Sequence, residues 1–276
     1  MAPKRITSRE YKVLLSAVRF QGDRPTLLAR AAEFWSDFSK AVSDVVVDTD
    51  GELREVDKER LVRYFDTPGQ LLRENDYIFR ERVGQAPGKR EVALKFRHPD
   101  RYVVQDRDMD AAEKDNGKTK FEEDIKPGFQ RVFSYSTKQR IDADQRLDRL
   151  DDLGRLFPGM PKKVKGYDGE VQIEVVGGFT AKEVVISGAD FQIGKDPKVE
   201  AECSLGVWYN QDDDHQKPVI AEFSFTYGDK DEDYDGDVAW RACKAFDILE
   251  GEEMAHWVFK ESTTKTAYVY DLARKA

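Results

Sequence analysis

The chain has 276 residues, of which 39% are apolar and 36% are charged, and its formal net charge is -9 at pH 7. This length suits one large domain, so we predict a single domain over residues 1–276, and the acidic balance argues against a surface that coats nucleic acid. The sequence has no apolar stretch of membrane-spanning length and no apolar signal core near its start, which predicts a cytoplasmic protein without a membrane partner.

The first predicted elements are a strand and a helix. Polar and apolar side chains alternate over residues 8–18, which is typical of a half-buried strand. Three polar side chains share one of its faces: Ser8, Glu10 and Lys12. Asp23 and Pro25 then begin a helix, because proline is favoured in the first helical turn. The helix carries an apolar stripe that we interpret as core packing: Leu27, Leu28, Ala31, Phe34, Trp35, Phe38 and Val42.

Three strands with informative side chains are predicted next. Residues 48–57 are acidic and turn-like, and residues 61–68 form a strand that ends at Pro68. Two basic strands follow at residues 77–82 and 90–99. Their alternation places the charged side chains on one face and the apolar ones on the other. The charged face carries Arg80, Arg82, Glu91, Lys95 and Arg97, and the apolar face carries Phe79, Val92, Leu94 and Phe96.

The middle of the chain continues this pattern. A charged loop is predicted over residues 106–118, and strands are predicted over residues 118–125 and 129–141. The polar faces of these two strands carry Lys118, Lys120, Glu122 and Asp124, and Ser134, Ser136, Lys138 and Arg140. Asp142 and Gln145 resemble a capping box, which predicts a helix from there to Phe157 that Pro158 and Gly159 end.

The last part of the chain is predicted to hold four strands and a final helix. The strands cover residues 171–175, 181–186, 199–205 and 219–225, with an acidic loop at residues 211–215, and the helix covers about residues 237–249. Six polar side chains on these strands are of interest: Lys182, Glu200, Glu202, Glu222, Ser224 and Thr226. The face that Lys182 occupies is not fixed by its neighbours.

Most of the predicted strands carry two or more charged side chains on one face, and this recurrence predicts the fold class. Closing a sheet into a barrel removes its exposed edges and turns one face of every strand inward. Charges enclosed in this way need a ligand, and phosphate with a divalent cation would satisfy both the bases and the acids. We therefore predict a mainly β, α+β fold: a closed antiparallel β-barrel of about eight strands that forms a charged tunnel, with flanking helices.

Several of these motifs resemble the CYTH domain, or triphosphate tunnel metalloenzymes. The family opens with a Glu-x-Glu-x-Lys strand, which residues 8–12 match at Glu10 and Lys12. Its Tyr-Phe-Asp-Thr-Pro strand is spelled in full by residues 64–68, and its basic and basic-acidic strands are similar to residues 79–82, 92–95 and 120–124. The resemblance is specific through about Asp124 and looser beyond it.

The resemblance implies a metal-dependent hydrolase of a triphosphate-containing substrate, such as inorganic, nucleoside or thiamine triphosphate. It implies Mg²⁺ or Mn²⁺ as cofactor and a small phosphorylated molecule as partner. The implied catalytic residues are Glu10 and Lys12. The implied substrate ligands are Lys12, Arg80, Arg82, Lys95, Arg97, Lys120, Lys138, Arg140 and Lys182. The implied metal ligands are Glu10, Glu122, Asp124, Glu200, Glu202 and Glu222.

Alternatives stay open at this point. Serine stands at two expected carboxylate positions, Ser8 and Ser224, and serine is a poor Mg²⁺ ligand. A non-catalytic module that binds a phosphorylated ligand, or a class IV adenylyl cyclase-like activity, would use the same barrel. The closing acidic strand is either the one with Glu222 or the one with Glu200 and Glu202, and a homodimer is left open.

The remaining ionisable residues show no motif. The histidines are scattered and are interpreted as incidental: His98, His215 and His256. Cys203 and Cys243 form no spacing motif, so free thiols are expected. Taken singly, each charge pair would also suit a solvated strand face.

Overall fold

The computed structural model describes residues 4–84, 88–211, 216–259 and 264–274. The strands of this part are β1 Ser8–Leu15, β2 Asp48–Asp66, β3 Tyr77–Gly84, β4 Lys89–His98, β5 Lys118–Lys126, β6 Gln130–Asp142, β7 Glu174–Val175, β8 Ala181–Lys195, β9 Lys198–Asn210 and β10 Pro218–Tyr227. Its α-helices are α1 Arg24–Val42, α2 Leu71–Glu74, α3 Arg101–Gln105, α4 Leu150–Leu156, α5 Gly236–Glu250 and α6 Lys265–Ala273. Of the helices described, none is both long and apolar enough to cross a membrane.

The strands form a closed ring. Their order is β3-β4-β6-β5-β1-β10-β9-β8-β2, and β2 also pairs with β3, which closes the sheet. The short β7 pairs with the end of β2 outside this ring. The predicted fold class is confirmed, with two refinements: nine strands form the ring, and β1 and β5 pair in parallel while the other neighbours are antiparallel.

Apolar side chains of the strands point out of the ring, towards the helices. Phe79 of β3 and Leu94 of β4 are fully buried, and they belong to a cluster that includes Leu150 and Leu153 of α4. Because neighbouring residues of a strand face opposite ways, Arg80 and Lys95 point into the ring instead. The charged faces are therefore enclosed, as the alternation predicted.

Helix α1 covers a second part of the outer surface, as its apolar stripe predicts. It begins after Asp23, whose carboxylate accepts a hydrogen bond from the Thr26 backbone amide at 3.0 Å. On its buried face, the rings of Phe34 and Phe38 pack against Phe223 of β10 at 4.9 and 5.3 Å between centroids. Burying these rings removes apolar surface from both helix and sheet, and it anchors α1 to the ring.

Several predicted element boundaries are wrong. The first strand ends at Leu15 rather than at residue 18. Residues 48–57 are not a turn but the first part of β2, which pairs with β8; their polar side chains are mostly exposed and give no strand pattern. The helix predicted from Asp142 begins at Leu150, because Asp142 is still paired with Lys89 in the sheet. Only Glu174 and Val175 of the strand predicted at residues 171–175 form a strand.

The C-terminal part of the sequence contains one more element than predicted. The helix predicted near residues 237–249 is present as α5, but it is not the last, because α6 follows. Of the acidic loop predicted at residues 211–215, only Gln211 lies within the described residues, so His215 lies outside them.

Candidate functional site

A cavity of about 360 Å³ occupies the interior of the ring, and we call it the central cavity. Nine lysine and arginine side chains and five glutamate side chains line it. The cations are Lys12, Arg80, Arg82, Lys95, Arg97, Lys120, Lys126, Lys138 and Lys265. The glutamates are Glu10, Glu122, Glu183, Glu202 and Glu222, and the other lining residues are Tyr64, Ile78, Ala93, Ser136, Thr226, Thr264 and Thr266.

One side of the central cavity is a cationic wall, built by β3, β4 and β6. Arg80 and Arg82 project from β3, Lys95 and Arg97 from β4, and Lys138 from β6. Sheet register brings them together, since Arg80 lies opposite Ala93 and Ala93 lies opposite Lys138. The small side chain of Ala93 leaves space between these cations, which suits the entry of an anion.

The opposite side is a carboxylate wall, built by β5, β1, β10, β9 and β8. Glu10 of β1 lies beside Asp124 of β5 in the parallel register. The Lys12 ammonium contacts both, at 2.6 Å from Glu10 and 3.2 Å from Asp124. Asp124 is fully buried and also pairs with Lys95 at 3.4 Å and Arg97 at 3.5 Å. This buried carboxylate therefore joins the two walls.

Helix α6 contributes a further cation to the carboxylate wall. The Lys265 ammonium lies 3.2 Å from Glu222 of β10 and 3.4 Å from Glu183 of β8. Glu183 is also held by Arg60 at 2.6 Å and by the Trp208 indole N–H at 2.8 Å. A buried carboxylate with this many donors stays ionised, and the pKa of Glu183 lies well below its usual value despite burial, because Lys265, Arg82 and Arg60 adjoin it.

Burial and crowding weaken the protonation of three cations of the cationic wall. Burial lowers the pKa of Lys95 to about 8, and Arg97 and Lys12 add to this effect while Asp124 opposes it. Burial likewise lowers the pKa of Lys138 to about 8, and that of Arg82 to about 10 with the help of Arg80. An anion placed among these groups would relieve their mutual repulsion.

The carboxylate wall shows the opposite behaviour. Burial disfavours the Lys12 ammonium, but Asp124 and Glu10 raise its pKa above the ordinary value. Burial likewise disfavours ionised Glu10 and Asp124, but Lys12 lowers the pKa of each of them. These three groups therefore remain charged together near neutral pH.

The structure brings most of the predicted site residues together. Lining the central cavity are Glu10, Lys12, Arg80, Arg82, Lys95, Arg97, Lys120, Glu122, Lys138, Glu202 and Glu222, and Asp124 lies buried against Lys12 and Lys95. Lys120 and Glu202 are the more exposed members of this set. Their common location was predicted from the alternation of each strand, whereas their chemical roles stay predictions.

Three predicted residues lie elsewhere. Arg140 has the expected alternation but lies beyond the central cavity, exposed near Lys89. Lys182 lies on the outer face of β8, near Asp23, and its neighbour Glu183 points into the ring instead. Glu200 is exposed and pairs with Lys198 at the start of β9.

Sequence reasoning missed four ionisable side chains of the cavity: Tyr64, Lys126, Glu183 and Lys265. Glu183 is the neighbour of Lys182, and both faces of β8 are too apolar for the alternation to show which one points inward. Lys126 continues the alternation of Glu122 and Asp124, and Tyr64 belongs to a motif that was noted, so both could have been found. Lys265 lies on α6, where Thr264 as a helix cap was the available signal.

The carboxylates do not form a complete metal site by themselves. The Ser8 hydroxyl donates to Glu122 at 3.0 Å, and the Ser224 and Ser204 hydroxyls bond each other at 3.2 Å. Within residues 4–84, 88–211, 216–259 and 264–274, no three His, Cys, Asp or Glu side chains are grouped so as to hold a metal ion. Glu10 and Asp124 are adjacent, but the Lys12 ammonium contacts both.

Comparisons with known proteins give structural likenesses alone. No family model matches the chain, and no curated protein matches it. A protein from Hippeastrum, named as an adenylyl cyclase with a dominant triphosphatase activity, is 13% identical and covers 96% of this chain and 95% of its own, with a TM-score of 0.43.

Two bacterial structures give similar values. One, named an adenylate cyclase of Bacillus halodurans, is 13% identical and covers 90% of this chain and 92% of its own, with a TM-score of 0.36. The other, named an adenylate cyclase of Vibrio parahaemolyticus, is 11% identical and covers 99% of this chain and 100% of its own, with a TM-score of 0.36.

Proposed function

We propose that the central cavity binds a triphosphate and hydrolyses it. The observation that carries this proposal is the segregation of charge within the ring, where a wall rich in arginine and lysine faces a wall of carboxylates. Arginine and lysine suit phosphate oxygens, and several of them in one enclosed space suit a ligand with several phosphates. The volume of about 360 Å³ leaves room for a chain of phosphates.

In the proposed reaction, Arg80, Arg82 and Lys95 hold the phosphate oxygens, and water attacks the terminal phosphorus. The bond between that phosphorus and its bridging oxygen breaks, and the proton that the water loses passes to an oxygen of the released phosphate. The cationic wall stabilises the charge that develops on the departing diphosphate. Glu10 stays ionised because Lys12 lowers its pKa, so its carboxylate can accept a hydrogen bond from the attacking water and orient it.

A divalent ion, Mg²⁺ or Mn²⁺, is proposed as part of the substrate complex rather than as a resident of the protein. Mg²⁺ is often held by one or two carboxylates together with substrate phosphates. Glu10 and Asp124 are adjacent, and because Lys12 already contacts both of them, the ion would be held mainly by the phosphates with which it arrives.

A second candidate is a module that binds a phosphorylated ligand without turnover. It is favoured by Ser8 and Ser224, because each hydroxyl bonds a neighbour where a carboxylate was expected to bind metal. A cyclase-like reaction on a nucleoside triphosphate would use the same cationic wall, and it would differ by releasing diphosphate and a cyclic nucleotide.

A screen of phosphate release tests the proposal. Tripolyphosphate, ATP and thiamine triphosphate would each be supplied with Mg²⁺, Mn²⁺ or a chelator, and ATP samples would also be analysed for cyclic nucleotide. We expect release from at least one triphosphate when metal is present, and a loss of about 100-fold or more in Glu10→Gln, which keeps the size of the side chain but removes its charge.

The outcomes separate the candidates. Binding of tripolyphosphate without any release, in all metal conditions, would leave the binding module and contradict hydrolysis. Full activity in Glu10→Gln would contradict the assigned water-orienting group. Glu200→Gln is the matched control, because that carboxylate is exposed outside the central cavity, and its activity should equal that of the unchanged protein.

A further inference from the structure

Asp66 ends β2 within the motif at residues 64–68, and nothing proposed above uses it. Its side chain is only 1% exposed. The carboxylate accepts hydrogen bonds from three backbone amides, those of Thr67 at 2.8 Å, Leu72 at 2.8 Å and Arg73 at 3.0 Å. Asp66 therefore fixes the short helix α2 against the end of β2.

The same carboxylate also holds α6. The Tyr270 hydroxyl donates to Asp66 Oδ2 at 2.8 Å, and Tyr270 is fully buried. The Arg73 guanidinium lies over the Tyr270 ring at 4.5 Å from its centroid. We call Asp66, Arg73 and Tyr270 the latch, because they join α2 and α6 to the end of β2.

Helix α6 depends on contacts of this kind. It has nine residues, and an isolated helix of that length is unstable in water. Five residues before Tyr270, Lys265 begins the helix and places its ammonium between Glu222 and Glu183 in the central cavity. The position of Lys265 therefore follows from where α6 is held.

We propose that the latch positions α6 so that Lys265 reaches the central cavity, which makes Asp66 and Tyr270 positioning residues for the site. The inference that α6 is held by the latch rests on the contacts alone. The further inference that this matters for turnover rests on the proposed function.

The first test is hydrogen exchange of the α6 amides in the full chain. Tyr270→Phe keeps the buried ring and removes only the hydroxyl, and a hydrogen bond to a charged group is worth enough to expect roughly 10- to 100-fold faster exchange in α6. Tyr102→Phe is the matched control, because Tyr102 is 73% exposed on α3. Unchanged exchange of α6 in Tyr270→Phe would overturn the latch, whether or not the protein is an enzyme.

The second test is a double-mutant cycle with Lys265→Met. We expect Tyr270→Phe to lower kcat/KM for tripolyphosphate in the unchanged protein and to have no further effect in Lys265→Met, because the latch acts through Lys265. Equal effects in both backgrounds would overturn the positioning role even if α6 exchanges faster. Should the unchanged protein release no phosphate, the proposed function fails, and the same cycle measured on tripolyphosphate affinity decides the positioning role.

Discussion

The lysines of the central cavity differ in how firmly they hold their protons. Lys12 lies between two carboxylates, which raise its pKa. Lys138 is half-buried, and its pKa is lowered to about 8 by desolvation and by the nearby Arg82, Arg80 and Lys120, against the opposing effect of Glu91. The cation that a phosphate would meet at Lys138 is therefore present at neutral pH and is lost in mildly alkaline solution.

This difference predicts a pH dependence of ligand binding. Because the ammonium of Lys138 binds phosphate and its neutral amine does not, raising the pH through about 8 should weaken tripolyphosphate binding. Lys138→Met should remove this contribution, so the affinity ratio of unchanged protein to variant should shrink from about tenfold near pH 7 towards one near pH 9. Calorimetric titrations of both proteins over this range measure it, and a ratio independent of pH would contradict the role of Lys138.

For single residues, strand alternation predicted which side chains enter the central cavity wherever one strand face was clearly apolar. Phe79 and Leu94 fixed the inward direction of Arg80 and Lys95 in this way. On β8 the rule could not fix the face of Lys182, because apolar side chains occur on both faces of that strand. Alternation also does not show where along a strand the cavity ends, so Arg140, which has the same parity as Lys138, was wrongly expected to line it.

At the scale of elements, strands with an apolar face and helices with an apolar stripe were predictable, whereas elements defined by distant contacts were not. The first half of β2 is mostly exposed, and its pairing with β8 is not visible in its own sequence. Helix α6 is short and is held by Asp66, which precedes Tyr270 by 204 positions. The first half of β2 and helix α6 are therefore formed through contacts with distant parts of the chain, which the local sequence pattern does not reveal.

An irregular position in β2 gives a stability prediction. Gly51 has a φ of +69°, and a Cβ added there would lie 2.0 Å from the Gly188 carbonyl oxygen of β8. Gly51→Ala should therefore lower the free energy of unfolding by about 2 kcal/mol or more, from backbone strain and displacement of β8. Urea unfolding measures this, with Gly69→Ala as control because no heavy atom lies within 4 Å of its added Cβ. Equal stabilities of the two variants would contradict the close approach of β2 and β8.

At the scale of the whole molecule, an acidic chain encloses a cation-rich interior. The net charge over the 276 residues is -9, while lysine and arginine outnumber glutamate in the central cavity. Closing the sheet favours this arrangement because the outward apolar faces pack on helices. Removing the inward charges from bulk water costs free energy, which their ion pairs offset in part. An anion would then be attracted to the interior rather than to the outer surface.

The central claim, that the cationic wall of the central cavity binds a triphosphate, is tested most directly by calorimetric titration with tripolyphosphate. The proteins to compare are the unchanged chain, Arg80→Met inside the cavity and Arg140→Met outside it. We expect Arg80→Met to weaken binding by roughly 10- to 100-fold, and Arg140→Met to change it by no more than about twofold. Equal losses in the two variants, or no binding by the unchanged chain, would contradict the claim.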